Sequence, residues 1–166
     1  MRSRGFAPIA AASARVLILG SLPGQESLRR REYYAQPRNA FWTIMGALYG
    51  AGPELGYAER GRRLIEAGLA LWDVCAAADR PGSLDASIVA ASVRVNDFAG
   101  FYRLHPQLVR VCFNGATAAI LYRRRVLPGL PAAFAALPLA QLPSTSPAHA
   151  ALSPRAKLAR WAAGLS

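Results

Sequence analysis

Four short, mainly apolar runs are spaced along the chain, and each stops abruptly at small or polar residues. The runs are Val16–Leu19, Leu69–Trp72, Val109–Phe113 and Leu139–Leu142. Short apolar runs of this kind are typical of strands that are buried on both faces of a parallel sheet. The pattern therefore predicts four central strands.

Apolar residues at helical spacing fill the intervals between these runs. One helix is predicted after Asn39, a second stops near Gly68, and others are predicted over Asp97–Leu104, Ala116–Arg125 and Pro154–Ala163. When strands alternate with helices along a chain, the strands form a parallel sheet and the helices cover both of its faces. We therefore predict an α/β fold, a three-layer α/β/α sandwich around a four-stranded parallel sheet.

The length of the chain fits a single domain over residues 1–166, because a chain of this size buries roughly 70% of its unfolded surface. Flexibility is expected, if anywhere, in residues 1–14. Their arginines and alanines resemble a secretory signal, but Pro8 interrupts them and the first core strand follows at once, so we expect no signal peptide. The apolar runs are shorter than about 18 residues, which argues against a membrane partner.

The two cysteines, Cys75 and Cys112, cannot form a disulfide framework, and with two histidines they give no recognisable zinc spacing. We therefore expect a cytoplasmic protein, at the nucleoid of a prokaryote, that needs neither metal nor cofactor.

Charge adds the first functional indication. Lys and Arg together number 20 against 9 Asp and Glu, a net charge of +11, and Lys157 is the only lysine. The planar guanidinium group suits phosphate oxygens, so this surplus predicts DNA or another nucleic acid as partner. A genome rich in G and C explains the preference for arginine over lysine, but it does not explain the excess of positive charge.

The ends of the predicted strands share one edge of the sheet, where open parallel sheets bind their ligands. Small and polar residues follow the four strands there: Gly20-Ser21, Asp73, Asn114-Gly115 and Ser144-Thr145-Ser146. We therefore expect the functional site at this edge.

The turn Gly20–Gly24 is the first candidate for substrate binding. It comprises Gly20, Ser21, Leu22, Pro23 and Gly24, and its glycines permit a close backbone approach while its amides can face an anion. It lacks the Lys-Ser/Thr of a nucleotide P-loop and the three glycines of a dinucleotide site. An ordinary turn from strand to loop is the alternative interpretation.

The segment Tyr33–Trp42 combines aromatic, amide and cationic side chains in a loop that opens a helix. A base turned out of a duplex needs such groups for stacking, for reading its edge and for the neighbouring phosphates. Tyr34 is the candidate for stacking and Arg38 for a phosphate contact. Asn39 is alternatively an N-cap, and we expect Phe41 and Trp42 in the core.

Two further strand ends carry candidate contacts. The amide of Asn114 donates and accepts at once, as the edge of a base requires, although Asn-Gly also forms turns. The loop after the fourth strand is small enough to contact a DNA backbone, with helix capping as the alternative. Its candidate residues are Ser144, Thr145, Ser146, Pro147 and His149. Asp73 and Asp85 are interpreted as structural, because short carboxylates commonly hydrogen-bond loops.

Three segments together resemble the hypoxanthine-DNA glycosylase branch, the sixth family, of the uracil-DNA glycosylase superfamily. They are Gly20–Gly24 with Ser27-Leu28, Tyr33-Tyr34 through Asn39–Trp42, and Leu142–Ala148. The first resembles the superfamily's first motif and the last its second. The resemblance implies an α/β/α fold and monofunctional removal of deaminated bases from DNA without a metal.

The resemblance also implies roles for single residues. Asn39 resembles the catalytic asparagine of the hypoxanthine branch, Tyr34 an aromatic residue under the flipped base, and Asn114 the base-reading asparagine of uracil enzymes. Leu22 stands where uracil-specific branches carry a polar residue that handles the attacking water, so this chain must handle its water differently.

The expected activity is hydrolysis of the N-glycosidic bond of hypoxanthine in DNA, with no obligate protein partner. An enzyme of the same superfamily for uracil or mismatched thymine is the first alternative. A DNA-binding module without catalysis and a small-molecule hydrolase that uses Asp73 or Asp85 are the others.

Overall fold

The computed structural model describes residues 2–166, which form seven strands and seven α-helices. The strands are β1 (Arg2–Arg4), β2 (Val16–Gly20), β3 (Leu69–Asp73), β4 (Cys75–Asp79), β5 (Arg94–Val95), β6 (Arg110–Asn114) and β7 (Leu139–Leu142). The helices are α1 (Gln25–Arg30), α2 (Phe41–Tyr49), α3 (Tyr57–Glu66), α4 (Phe98–Leu104), α5 (Ala116–Leu121), α6 (Ala132–Ala135) and α7 (Pro154–Leu165).

The central sheet has four parallel strands in the order β3-β2-β6-β7. Alternate residues of a strand point to opposite faces. Leu17 and Leu19 accordingly pack with α4 and α5 on one face. Val16 and Ile18 pack with α2, α3 and α7 on the other. The structure confirms the four predicted strands and the three-layer α/β/α sandwich.

A second, antiparallel sheet of three strands, in the order β1-β4-β5, was not predicted. It includes part of the segment in which flexibility was expected, since Arg2–Arg4 pairs with β4. Further along that segment, Ile9 and Leu71 exchange two backbone hydrogen bonds of 2.9 and 2.8 Å. The N-terminal segment is therefore attached to both sheets.

The helices differ from prediction mainly at their ends. The helix predicted over Ala116–Arg125 is α-helical only to Leu121 and continues as a π-helical turn over Tyr122–Val126. Asp97 and Ser153 cap α4 and α7 by accepting hydrogen bonds from backbone N–H groups. Helices α1 and α6 are short and were not predicted. Within residues 2–166, no helix is both long and apolar enough to cross a membrane.

Candidate active site

A cavity of about 540 Å³ opens at the carboxyl edge of the central sheet. The strand register brings its components together, because Gly20 lies opposite Asp73 and Asn114 lies opposite Leu142. All four strand ends or the loops that follow them contribute to the lining. The lining includes Ser21, Leu22, Pro23, Gly24, Tyr34, Asn39, Asp73, Asp85, Asn114, Ser144, Thr145, Ser146, Pro147 and His149. The predicted site residues thus meet in one cavity, with the exception of Arg38.

The turn Gly20–Gly24 directs its carbonyl groups toward the protein. The backbone N–H groups of Val74 and Cys75 donate to the carbonyls of Gly20 and Ser21 at 2.9 and 3.0 Å. The guanidinium group of Arg80 donates to the carbonyls of Leu22, at 3.4 Å, and Pro23. Four successive carbonyls are therefore occupied, and a ligand in the cavity meets a turn whose acceptors are already satisfied.

Arg80 is buried, with 1% of its surface exposed. Burial lowers its pKa, but a guanidinium group remains charged in proteins. The carboxylate of Asp85 lies 3.7 Å from Nη1 of Arg80 and accepts a hydrogen bond of 2.6 Å from the hydroxyl of Ser21. Arg80 and Asp85 thus attach the turn to the segment that follows β4.

Leu22 is buried in a small apolar cluster with Cys75 and Ala78. Its side chain offers no hydrogen-bonding group for a water molecule. The position therefore has the apolar character that the sequence predicted for it.

Tyr34 lies in the left-handed backbone region, with φ of 54°. A bulky residue rarely adopts this conformation, and such strain is concentrated at functional sites. One face of its ring stacks on Phe41, with 4.2 Å between ring centroids and 28° between planes. Phe41 itself is completely buried, as predicted. The stack fixes the position of the Tyr34 ring in the cavity wall.

Asn39 lines the cavity at the start of α2 and is half-buried. Its Oδ1 accepts a hydrogen bond of 3.0 Å from the backbone N–H of Phe41, while the N-cap itself is Ala40. An amide oxygen has two lone pairs and an amide nitrogen two protons. The helix therefore orients the amide and leaves further hydrogen-bonding positions for a ligand.

Asn114 connects two strand ends. Its Nδ2 donates to Oγ1 of Thr145, and its Oδ1 accepts from the backbone N–H of Thr145, both at 2.9 Å. The amide keeps one proton and one lone pair beyond these bonds. The base-reading role of Asn114 stays a prediction. The structure shows a second role, in which Asn114 fixes the loop after β7.

The loop Ser144–His149 is braced from both sides. The carbonyl of Thr145 accepts a hydrogen bond of 3.0 Å from the backbone N–H of Ala40. The ammonium group of Lys157 donates to the carbonyl of His149 at 2.8 Å. The loop is thus held against both α2 and α7, beside the cavity. Arg38, by contrast, is exposed outside the described cavity lining.

Asp73 ends β3 at the cavity and is only 4% exposed. Burial and, to a smaller extent, the Asp85 carboxylate raise the pKa of its carboxyl group to about 7, while Arg80 opposes the shift. A perturbed pKa in a cleft is a sign of function. The sequence placed Asp73 at this edge and favoured a structural role for it, and the structure shows that it also lines the cavity.

Gly20 leaves space for the carboxyl group of Asp73 and the hydroxyl group of Tyr34. A Cβ atom at this position would lie 2.6 Å from Oδ1 of Asp73 and 2.6 Å from the hydroxyl of Tyr34. Both groups therefore pack against the same glycine, which only a residue without a side chain permits.

Within residues 2–166, no group of three or more His, Cys, Asp and Glu side chains is arranged to hold a metal ion.

Comparison with known proteins gives consistent matches. Residues 7–163 match the family model of the uracil DNA glycosylase superfamily. A hypoxanthine DNA glycosylase of Methanosarcina acetivorans is 38% identical over 71% of this chain and 74% of its own length. The hypoxanthine DNA glycosylase of Methanosarcina barkeri is 36% identical over 69% and 72%.

A solved structure extends the similarity to nearly the whole chain. It is the solution NMR structure of a Methanosarcina acetivorans protein described as a candidate uracil DNA glycosylase. The two chains superpose with a TM-score of 0.79 at 32% sequence identity, over 99% of this chain and 97% of the other.

Proposed function

Because this chain belongs to the uracil DNA glycosylase superfamily, we propose that it is a monofunctional DNA glycosylase that hydrolyses the N-glycosidic bond of hypoxanthine. Two relatives that are named hypoxanthine DNA glycosylase support this base. The observation that carries the proposal is the cavity in which Asn39, Tyr34 and the turn Gly20–Gly24 meet. Because its substrate is DNA, we also propose that the protein acts at the nucleoid, in the cytoplasm.

DNA binding uses the excess of positive charge and the loop beside the cavity. The net charge of +11 attracts the phosphate backbone. Exposed Arg38 contacts a phosphate, and the loop Ser144–His149 compresses the backbone beside the damaged nucleotide. The nucleotide then rotates into the cavity, at a cost of a few kcal/mol that is smaller for a mispaired base.

Within the cavity, Asn39 positions the attacking water. Breaking the glycosidic bond builds positive charge on the sugar and negative charge on the departing base. Asn39 is neutral and holds a water molecule against the sugar carbon, while amides of the turn Ser21–Gly24 stabilise the departing purine. The orientation of Asn39 by the N–H of Phe41 supports this role.

A monofunctional reaction agrees with the position of the single lysine. A glycosylase that also cleaves the strand needs an amine that attacks the sugar and forms a Schiff base. Lys157 is 6% exposed and its ammonium group donates to the carbonyl of His149. Within the described residues, no lysine belongs to the cavity lining, so water is the proposed nucleophile.

A uracil DNA glycosylase is the second candidate, because the NMR structure that superposes on this chain carries that description. The two candidates share the fold and the cleavage of an N-glycosidic bond, and they differ in the base that the cavity accepts, because hypoxanthine is a purine and uracil a pyrimidine.

The test is base release from four oligonucleotide duplexes that contain inosine, uracil, xanthine or ethenoadenine. Alkali after incubation breaks the strand wherever a base has been removed. Strand breaks in the inosine duplex at the highest rate are the expected result, whereas faster release of uracil supports the second candidate. Intact strands in all four duplexes contradict a glycosylase and indicate a DNA-binding module.

A further inference from the structure

Two polar side chains at the floor of the cavity lack hydrogen-bond partners. Within residues 2–166, neither Oδ2 of Asp73 nor the hydroxyl of Tyr34 has a partner, and both atoms are enclosed. Buried polar groups in folded proteins are almost always paired, so each exception requires an explanation. Both residues line the cavity, which makes a bound ligand the natural source of the missing partners.

Neighbouring side chains at the floor of the cavity each have a hydrogen-bond partner within the protein. Asn114 is bonded to Thr145 at both ends of its amide, and Ser21 donates to Asp85. The Asp73 carboxyl group, in contrast, packs against Gly20 without a side-chain partner among the described residues. Its two oxygens exchange places by rotation about a bond with a broad two-fold potential. Asp73 is therefore the acidic group at the cavity floor that is available to a ligand.

The charges around Asp73 decide the form in which it meets that ligand. Asp85 faces it as a like charge, Arg80 as an opposite charge, and the Tyr34 hydroxyl as a neutral neighbour. Burial, followed by the charges of Asp85 and Arg80, brings the pKa of Asp73 to about 7. An N–H group of a ligand stabilises the carboxylate form, because hydrogen bonds to the charged form favour it.

Deamination of adenine exchanges the hydrogen-bond donors and acceptors on one edge of the base, and a carboxylate distinguishes the two patterns. Adenine carries a lone pair on N1, whereas hypoxanthine carries a proton on N1 beside the carbonyl O6. A carboxylate accepts a hydrogen bond from N1–H and opposes the lone pair of adenine. Uracil presents the same N–H beside a carbonyl, at N3, where cytosine has a lone pair.

We propose that the carboxylate of Asp73 accepts a hydrogen bond from N1–H of the flipped hypoxanthine and that Asp73 thereby determines specificity against adenine. This inference rests on the proposed glycosylase function. Guanine also carries N1–H, so Asp73 separates hypoxanthine from adenine and does not by itself separate it from guanine.

The test compares inosine with purine deoxyriboside in otherwise identical duplexes. Purine deoxyriboside keeps the N1 lone pair of adenine but lacks its amino group. Single-turnover rates are measured for the parent protein, for Asp73→Asn and for the matched control Asp79→Asn. Asp79 ends β4 and is half-buried, and its carboxylate lies 3.7 Å from Nη1 of Arg2.

The amide in Asp73→Asn accepts from N1–H through its oxygen and donates to the lone pair through its nitrogen. We therefore expect the ratio of inosine release to purine release to fall about tenfold or more, mainly because purine is released faster. A faster reaction is a change that mere structural damage does not produce. Asp79→Asn is expected to keep the ratio of the parent.

An unchanged ratio in a folded Asp73→Asn variant overturns the inference. If that variant does not unfold cooperatively, the pH dependence of the parent protein provides the test. Its ratio of inosine release to purine release must rise about fivefold or more between about pH 6 and about pH 8, as Asp73 ionises. A ratio that stays unchanged over this range overturns the inference. If the parent releases no base from inosine, the proposed function itself fails, which is a distinguishable result.

Discussion

At the residue scale, Asn39 and Asp73 meet the cavity in opposite ways. Asn39 is half-buried and is oriented by the backbone N–H of Phe41. Asp73 is buried, and one of its oxygens has no partner within residues 2–166. The arrangement of Asn39 suits a group that positions water. That of Asp73 suits a group that accepts a hydrogen bond from the base.

Replacement of Asn39 by alanine is expected to lower the single-turnover rate on inosine by about 10²–10⁴-fold, because one positioned polar group is lost. DNA affinity is expected to stay nearly unchanged. Rates come from alkali cleavage and affinity from fluorescence anisotropy. Gln107→Ala is the matched control and is expected to keep the rate of the parent, since Gln107 is an exposed amide outside the cavity lining. A variant at position 39 that reacts as fast as the parent excludes the role of Asn39.

Asp73 also predicts a pH dependence of stability. Its pKa in the folded protein, about 7, lies above the ordinary value of 3.8, so the folded state binds the proton more tightly than the unfolded state. The contribution of this group to stability is therefore lost as the pH rises from about 4 to about 7. Urea unfolding across this range should show that the free energy of unfolding of Asp73→Asn, minus that of the parent, increases with pH. A difference that is constant with pH contradicts the raised pKa.

The sequence indicated Tyr34, Asn39 and Asn114 because their residue types stand out beside predicted strand ends. It placed Asp73 at the same strand edge but favoured a structural role for it, because a missing hydrogen-bond partner exists only in three dimensions. The bonds from Asn114 to Thr145 were equally invisible, since the two residues lie 31 positions apart. Residue types thus predicted the members of the site but not the bonds among them.

At the element scale, β4 links the two sides of the cavity. It begins just after Asp73 and ends just before Arg80. Arg80 holds two carbonyls of the turn that follows β2, and Asp85 holds the hydroxyl of Ser21. The turn is therefore shaped by a buried cation of a different element.

Replacement of Arg80 by methionine, which retains much of its volume, should destabilise the protein by about 2–4 kcal/mol, because two buried carbonyls lose their donor. Urea unfolding measures this effect, and the rate on inosine should fall with it. Arg29→Met is the control, since Arg29 pairs with Glu26 on the surface and such pairs contribute about 0.5 kcal/mol. Equal effects of the two substitutions contradict the bracing role.

The second sheet shows which elements a sequence pattern does not predict. Strands β1 and β5 contain three and two residues, and both include arginine. Their pairing depends on contact with β4 rather than on any apolar periodicity. The four central strands were predictable because each is buried on both faces and its sequence is mainly apolar.

At the scale of the whole molecule, the excess of positive charge governs DNA binding. The net charge of +11 accompanies a surface on which many arginines are exposed. A protein that neutralises phosphates releases their counterions, and its affinity then falls steeply with salt.

The dissociation constant for a duplex is expected to rise about 10²-fold from about 50 to about 200 mM salt, if about four phosphates are neutralised. Fluorescence anisotropy measures it. A parallel titration with sucrose controls for osmotic effects and should leave the constant nearly unchanged. A constant that does not respond to salt contradicts a phosphate-binding surface.

The contact of Gly20 with Asp73 and Tyr34 has a genetic consequence. Every missense change in a glycine codon adds a side chain, and here that side chain would enter the space between a carboxyl group and a phenol. We expect such alleles to yield a folded protein that no longer repairs DNA. A cell carrying one would show a mutator phenotype, with transitions accumulating wherever adenine deaminates.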